Sequence, residues 1–215
     1  MSNGKGNRWG DHQGIPKQLI EIGGETLLQR IVRQFRSVDP DAEIIISSSD
    51  PRHETEGARR YSPLVNEIEL DRFVDELLID DTCFLYGDTY YEDNAVKIIA
   101  SSDDQALSFY GDERSIAGIS CRNAAIMRSH ISQVRRAFLS GRITTCIGWQ
   151  VYQSYFDQLF EPLVVGEGLI SVAGEIAGFN SPDDLRDFID GKARMTQFVL
   201  AQAKQEFSIG EFALR

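Results

Sequence analysis

Between residues 2 and 19 the chain reads SNGKGNRWGDHQGIPKQL, with glycines at 4, 6 and 10 set around Lys5 and Arg8 and a Pro16-Lys17 pair close behind. Glycine lets backbone N–H groups approach an anion closely, and lysine and arginine supply charge without any proton transfer. The chemistry such a stretch suits is phosphate binding. It does not match the Walker pattern, which needs Gly-Lys-Ser/Thr after four intervening residues. The chain as a whole carries a formal net charge of -11, from 33 acidic against 22 basic residues, so the basic opening stands against the general field. That field repels DNA and RNA and excludes a nucleic-acid polymer as partner. A small anion held by a local concentration of cations remains open.

A second candidate lies in CFLYGDTYYED, which puts Asp88 directly after an apolar run. If that run is a buried strand, Asp88 stands at its carboxyl end, where open α/β sheets bind ligands. Tyr90, Tyr91, Glu92 and Asp93 lie close by, and Glu175 is a further acidic candidate on position alone. His12, His53 and His130 share no ligand spacing, and no Ser or Cys sits in a nucleophile elbow, so a covalent mechanism is not supported. Cys83, Cys121 and Cys146 are odd in number and form no CxxC pair, which reads as reduced thiols rather than disulfides or a zinc site.

The elements that position these residues follow from periodicity. Leu27, Leu28, Ile31, Val32 and Phe35 recur at helical spacing between Glu25 and Arg36. AEIIISSS then reads as a buried strand, Ser48 to Pro63 as a loop, and residues 71 to 79 as a short helix. TCFLYGD is a second buried strand, NAVKIIASS a helix, and ALSFYG and AGISC two more strands. Met127, Ile131, Val134 and Phe138 mark another amphipathic helix, and 149–160 and 193–206 are expected to be helical, with PLVV and LISVAG as short strands between them. Alternating strands and helices imply a doubly wound, mostly parallel α/β sheet with antiparallel additions in the second half. At 215 residues without a repeat or low-complexity linker, residues 1–215 read as one domain. No apolar run approaches the roughly 20 residues a bilayer crossing needs, and the polar start is no secretory signal, so a cytoplasmic location without membrane contact is expected.

With SNGKGNR followed by PKQLIEIGGETLL, the sequence resembles the NTP-transferase (nucleotidyltransferase) family, which includes the sugar-phosphate and molybdopterin nucleotidyltransferases. The resemblance implies a Rossmann-like fold of the nucleotide-diphospho-sugar transferase type. It also implies that Asn3, Gly4, Lys5, Gly6, Asn7 and Arg8 form the loop around a nucleoside triphosphate, with Lys17 as the second phosphate-binding cation. Arg8 and Lys17 are then the catalytic pair, offsetting the charge of departing pyrophosphate. The Gly-Asp at Asp88 takes the family's Mg²⁺ position, and in EIAGFNSPDDLRDF Asn180 takes the second metal position, with a neutral amide oxygen in place of a carboxylate. Asp183 and Asp184, after Pro182, favour a helix N-terminus and read as structural.

The implied activity is Mg²⁺-dependent transfer of a nucleoside monophosphate from an NTP to a small phosphorylated acceptor, a sugar phosphate by the family's habit, with pyrophosphate release. A nucleotide-sugar-dependent glycosyltransferase and a degenerate, non-catalytic nucleotide-binding protein are the alternatives. The family places a strand before the glycine loop, where only Met1 precedes SNG here. The expectation is a missing first strand, with the natural protein starting further upstream or another segment filling the gap.

Overall fold

The computed structural model describes residues 1–4, 8–10, 12–101, 105–162 and 165–192; Lys5, Gly6 and Asn7 of the expected loop, two residues of PLVV and the expected helix 193–206 lie outside them. Strands β1 (Glu21–Ile22) and β2 (Glu25–Thr26) form a hairpin around Gly23 and Gly24. Both glycines have positive φ, 69° and 86°, the backbone that a tight two-residue turn requires. Helix α1 (Leu27–Val38) starts directly from it. Thr26 Oγ1 accepts from the Gln29 N–H (3.2 Å) and Gln29 Oε1 accepts from the Thr26 N–H (2.8 Å), a reciprocal cap that stabilises the first turn by about 1 kcal/mol.

Strand β3 (Ile45–Ser47) pairs in parallel with β4 (Arg59–Tyr61). The segment expected to be a loop from Ser48 to Pro63 therefore contains a strand. Its sequence, Arg-Arg-Tyr, is that of an edge, with charged side chains facing water and no apolar alternation to reveal it. The helix expected over 71–79 is instead two 3₁₀ turns, Glu69–Arg72 and Asp75–Leu77. Asp71 spends its carboxylate on the backbone N–H groups of Glu67 (2.8 Å) and Ile68 (2.9 Å) and on Arg135 (2.8 Å), which fixes a turn rather than continuing a helix.

The remaining elements run β5 (Thr82–Leu85), β6 (Thr89–Tyr91), α2 (Asp93–Ala100), β7 (Leu107–Gly111), β8 (Ile116–Cys121), α3 (Ala124–Leu139), α4 (Gly148–Tyr155), β9 (Leu169–Ser171), β10 (Ile176–Gly178) and helix α5 over residues 182–192. A four-stranded sheet has the order β5-β8-β7-β9, with β8 antiparallel to both neighbours and β7 parallel to β9. It is a mixed sheet with helices on both faces. Phe84, Leu107 and Phe109 turn toward α3 and α4, where Met127, Val134 and Tyr152 are fully buried. Cys83, Leu85 and Tyr110 turn the other way, onto Ala95, Val96 and Ile99 of α2 and onto Ile31 and Phe35 of α1. The alternation along β5 and β7 is the period of two that a doubly wound sheet demands.

Met1 and Ser2 form no strand. The Ser2 N–H donates to the Ser47 carbonyl (3.0 Å) and the Gly87 N–H donates to the Met1 carbonyl (2.9 Å), so this short segment bridges β3 to the end of β5. Among the described residues no helix is long and apolar enough to cross a membrane. The three cysteines carry free thiols, and burial pushes Cys83 and Cys121 up to about 11, which keeps them protonated and unreactive.

Ile119 is fully buried in β8, between β5 and β7, whereas Leu139 is 83% exposed at the end of α3. In urea denaturation Ile119→Ala should cost about 2–5 kcal/mol, and Leu139→Ala should stay within about 0.5 kcal/mol of the parent.

Candidate active site

Strands β5 and β7 run in the same direction, since β8 lies antiparallel between them. Their carboxyl ends therefore open on one side of the sheet, the side on which α/β folds bind ligands. A cleft of about 790 Å³ lies there, lined by Gly4, Arg8, Lys17, Asp88 and Asn180 together with residues from several other segments.

Pairing of β6 with β10 brings two of these together. Gly178 stands opposite Thr89, and the Phe179 N–H donates to the Asp88 carbonyl (3.0 Å), so Asp88 and Asn180 flank the same ladder end although 92 residues apart in sequence. The N-terminal segment meets them from above. Lys17, 8% exposed, forms an ion pair with Asp88, and an Arg8 Nη donates to Asn180 Oδ1 (3.0 Å). Each expected phosphate-binding cation is thus held by one expected metal-binding oxygen. Asp88 does not cap α2, whose N-cap is Glu92.

The loop that carries Arg8 and Lys17 is fastened by its own side chains. Trp9 is buried against Ile20, Leu27, Tyr90 and Phe179, and its indole N–H donates to the Ile15 carbonyl (2.9 Å). Asn3 does not line the cleft: its Oδ1 accepts from the Ser49 N–H (3.0 Å) and hydroxyl (2.8 Å), and its carbonyl accepts from Asn66 Nδ2 (2.7 Å). The segment it leans on is braced by a buried pair, Ser48 Oγ with His53 Nδ1 at 2.7 Å.

Asp184 Oδ2 accepts from the N–H groups of Asn180 and Ser181 (2.8 Å each), and the Asp184 N–H donates to Ser181 Oγ (3.3 Å). This capping arrangement starts α5 and fixes Asn180, in keeping with the structural reading of Asp184; Asp183 pairs with Arg186. Glu175 bonds Asn94 and lies outside the cleft lining. His130 bonds Ser154 and His53 bonds Ser48, so the histidines stay apart. Among the described residues no group of three or more His, Cys, Asp or Glu is placed to hold a metal.

Sequence reasoning found one wall of the cleft and missed the other, which carries Glu69, Arg72, Tyr86, Asp112, Arg114 and Trp149. Glu69 Oε1 accepts from the Tyr86 hydroxyl (2.9 Å) and from the Gly148 N–H at the start of α4 (3.0 Å). Burial, and then the charge of Glu69, raise the Tyr86 hydroxyl well above its ordinary value, so it remains a donor. Asp112 and Arg114 belong to the β7–β8 turn, a charged run between two buried strands. That composition was the one available signal for this wall. Arg72 had none.

The cleft lies at the carboxyl ends of strands β5 and β7 in an α/β unit built on a mixed sheet. Residues 1–72 match the MobA-like NTP transferase domain family. Among solved structures the chain is similar to the CTP:phosphocholine cytidylyltransferase LicC of Streptococcus pneumoniae, at 12% identity and a TM-score of 0.59 over 87% of this chain and 94% of that one. It is also similar to HddC of Yersinia pseudotuberculosis, at 15% identity and a TM-score of 0.49 over 80% and 88%. At these identities the likeness is one of fold. No curated protein matches the sequence.

Burial lowers the His53 pKa below its ordinary 6.5. A group depressed in the folded state contributes stability above its unfolded pKa and loses it as pH falls through the folded one. The melting temperature should therefore decline as pH drops below about 6.5, and His53→Gln should flatten that part of the profile in thermal melts across pH 7.5 to 5.

Proposed function

We propose that the protein is a nucleotidyltransferase that moves a nucleoside monophosphate from an NTP to a small phosphorylated acceptor and releases pyrophosphate. The observation that carries this reading is the convergence of Arg8, Lys17, Asp88 and Asn180, drawn from three distant parts of the chain, at one end of the sheet. A triphosphate entering the cleft offers Lys17 and Arg8 better partners than they now have. Lys17 exchanges the Asp88 carboxylate for phosphate oxygens, and Arg8 exchanges a neutral amide oxygen for a charged one that its planar fork can grip through two bonds.

The same exchange frees Asp88 and Asn180. Their oxygens are of the hard type that Mg²⁺ prefers, but one carboxylate and one amide are too few to hold the ion without help. The donor set fits a Mg²⁺ that arrives on the nucleotide, where it would supply charge neutralisation of the phosphates. An oxygen of the acceptor then bonds the α-phosphorus as the bond to the bridging oxygen breaks. The electron pair leaves with pyrophosphate, beside the two fixed cations. Neither cation gains or loses a proton in the step, and most of the rate comes from positioning and charge stabilisation.

The test is pyrophosphate release with each of the four NTPs, Mg²⁺ and a panel of phosphorylated acceptors. Release of nucleoside diphosphate from a nucleotide sugar instead would establish the glycosyltransferase reading, and binding without turnover the degenerate one. Lys17→Met should lower kcat/KM by about 10²–10³-fold, the loss typical of a transition-state donor. Because Lys17 is buried against Asp88, it should also lower the melting temperature of the ligand-free protein. Undiminished turnover in that variant would sink the assignment.

A further inference from the structure

We infer that Arg72 is a third oxyanion-binding cation of the cleft, with Gly4 shaped to hold its guanidinium in place. It rests on the cleft receiving phosphorylated ligands, though not on nucleotidyl transfer itself. Arg72 ends the 3₁₀ turn Glu69–Arg72 and its side chain is 19% exposed, lining the cleft. The guanidinium lies next to Gly4, on the side where a Cβ would project. A Cβ at that position would sit 3.2 Å from its Nη2, a tight contact, and 3.5 Å from its Cζ, an ordinary one, and Gly4 has no positive φ to explain it otherwise. The glycine there makes room for the arginine.

The charge on Arg72 is poorly matched by the protein. Its one ion-pair contact among the described residues, Glu69 Oε2, is 3.9 Å away, and the other oxygen of that carboxylate already accepts two hydrogen bonds, from Tyr86 and Gly148. The Nε is buried without a hydrogen-bond partner among the described residues. A forked, always-charged donor left half-satisfied in a concave site costs free energy unless a ligand completes it. Arg8 and Lys17 already have partners on the opposite side of the cleft, so of these three cations Arg72 is the one most in need of one. The fitting group is a phosphate oxyanion, carried either by the nucleotide or by the acceptor.

Binding of tripolyphosphate and of inorganic phosphate, measured by isothermal titration on the whole chain, tests this without requiring catalysis. Arg72→Met should weaken binding by about tenfold or more, the range for a charge-assisted hydrogen bond. Arg72→Lys should recover part of the loss, and Gly4→Ala, whose methyl group would crowd Nη2, should change affinity in the same direction as Arg72→Met. Loss of tripolyphosphate affinity assigns the oxyanion to the nucleotide. Loss confined to inorganic phosphate added on top of saturating tripolyphosphate assigns it to the acceptor. Folded Arg72→Met, or Arg72→Lys and Gly4→Ala should the first not fold, binding both anions as tightly as the parent would overturn the inference. Absence of pyrophosphate release alongside intact anion binding would instead count against nucleotidyl transfer.

Discussion

The site depends on one ion pair, Lys17 with Asp88. It joins the start of the chain to the end of β5 in a place with little water, and it sets where the N-terminal segment can go. A largely buried pair of this kind contributes little net stability over apolar packing, but removing one partner strands the other at a cost of several kcal/mol. Its value lies in orientation. With Lys17 held there, Trp9 seats among Ile20, Leu27 and Tyr90, and Arg8 reaches Asn180.

The pair also makes the ligand-free cleft self-neutralising. Arg8, Lys17, Arg72 and Arg114 converge on it, four of only 22 basic residues in a chain with 33 acidic ones. Unpaired, cations gathered this closely would repel one another, and strongly so in a concave, low-dielectric setting. Asp88 and Glu69, with Asp112, Asp184 and Asp187 of the same lining and the amide of Asn180, moderate that repulsion. Each such contact can be traded for a phosphate oxygen, so anion binding swaps interactions rather than creating them. This favours selectivity for ligands that satisfy several cations at once.

What the sequence revealed of this site divides along a physical line. The N-terminal wall was readable because its chemistry is local: glycines, Arg8 and Lys17 fall within 14 residues of one another, and the Gly23-Gly24 hairpin and capped α1 follow from turn and capping rules. Asp88 was readable because an apolar run ends on it, and Asn180 only because EIAGFNSPDDLRDF resembles the closing motif of the NTP-transferase family. The far wall was not readable. Glu69, Arg72, Tyr86 and Trp149 come together only through tertiary packing, from a turn, a strand end and a helix start, with no spacing in common. Strand β4 escaped for a related reason, since an edge strand is built to look unlike a strand.

Asn180 illustrates why a departure from an expected residue type need not disable a site. An aspartate there would pair with Arg8 as a full ion pair, which a triphosphate would have to break against a charge. The amide oxygen holds Arg8 at 3.0 Å by a weaker, charge–dipole bond, so Arg8 is oriented yet easily released. Asp184, accepting from the Asn180 backbone N–H, keeps that oxygen at the end of β10 whichever partner Arg8 takes. The neutral side chain lowers the charge available to a metal, and the phosphates of a nucleotide can supply that charge. On the proposed function, the balance moves from a site that waits with its metal toward one that assembles around its substrate.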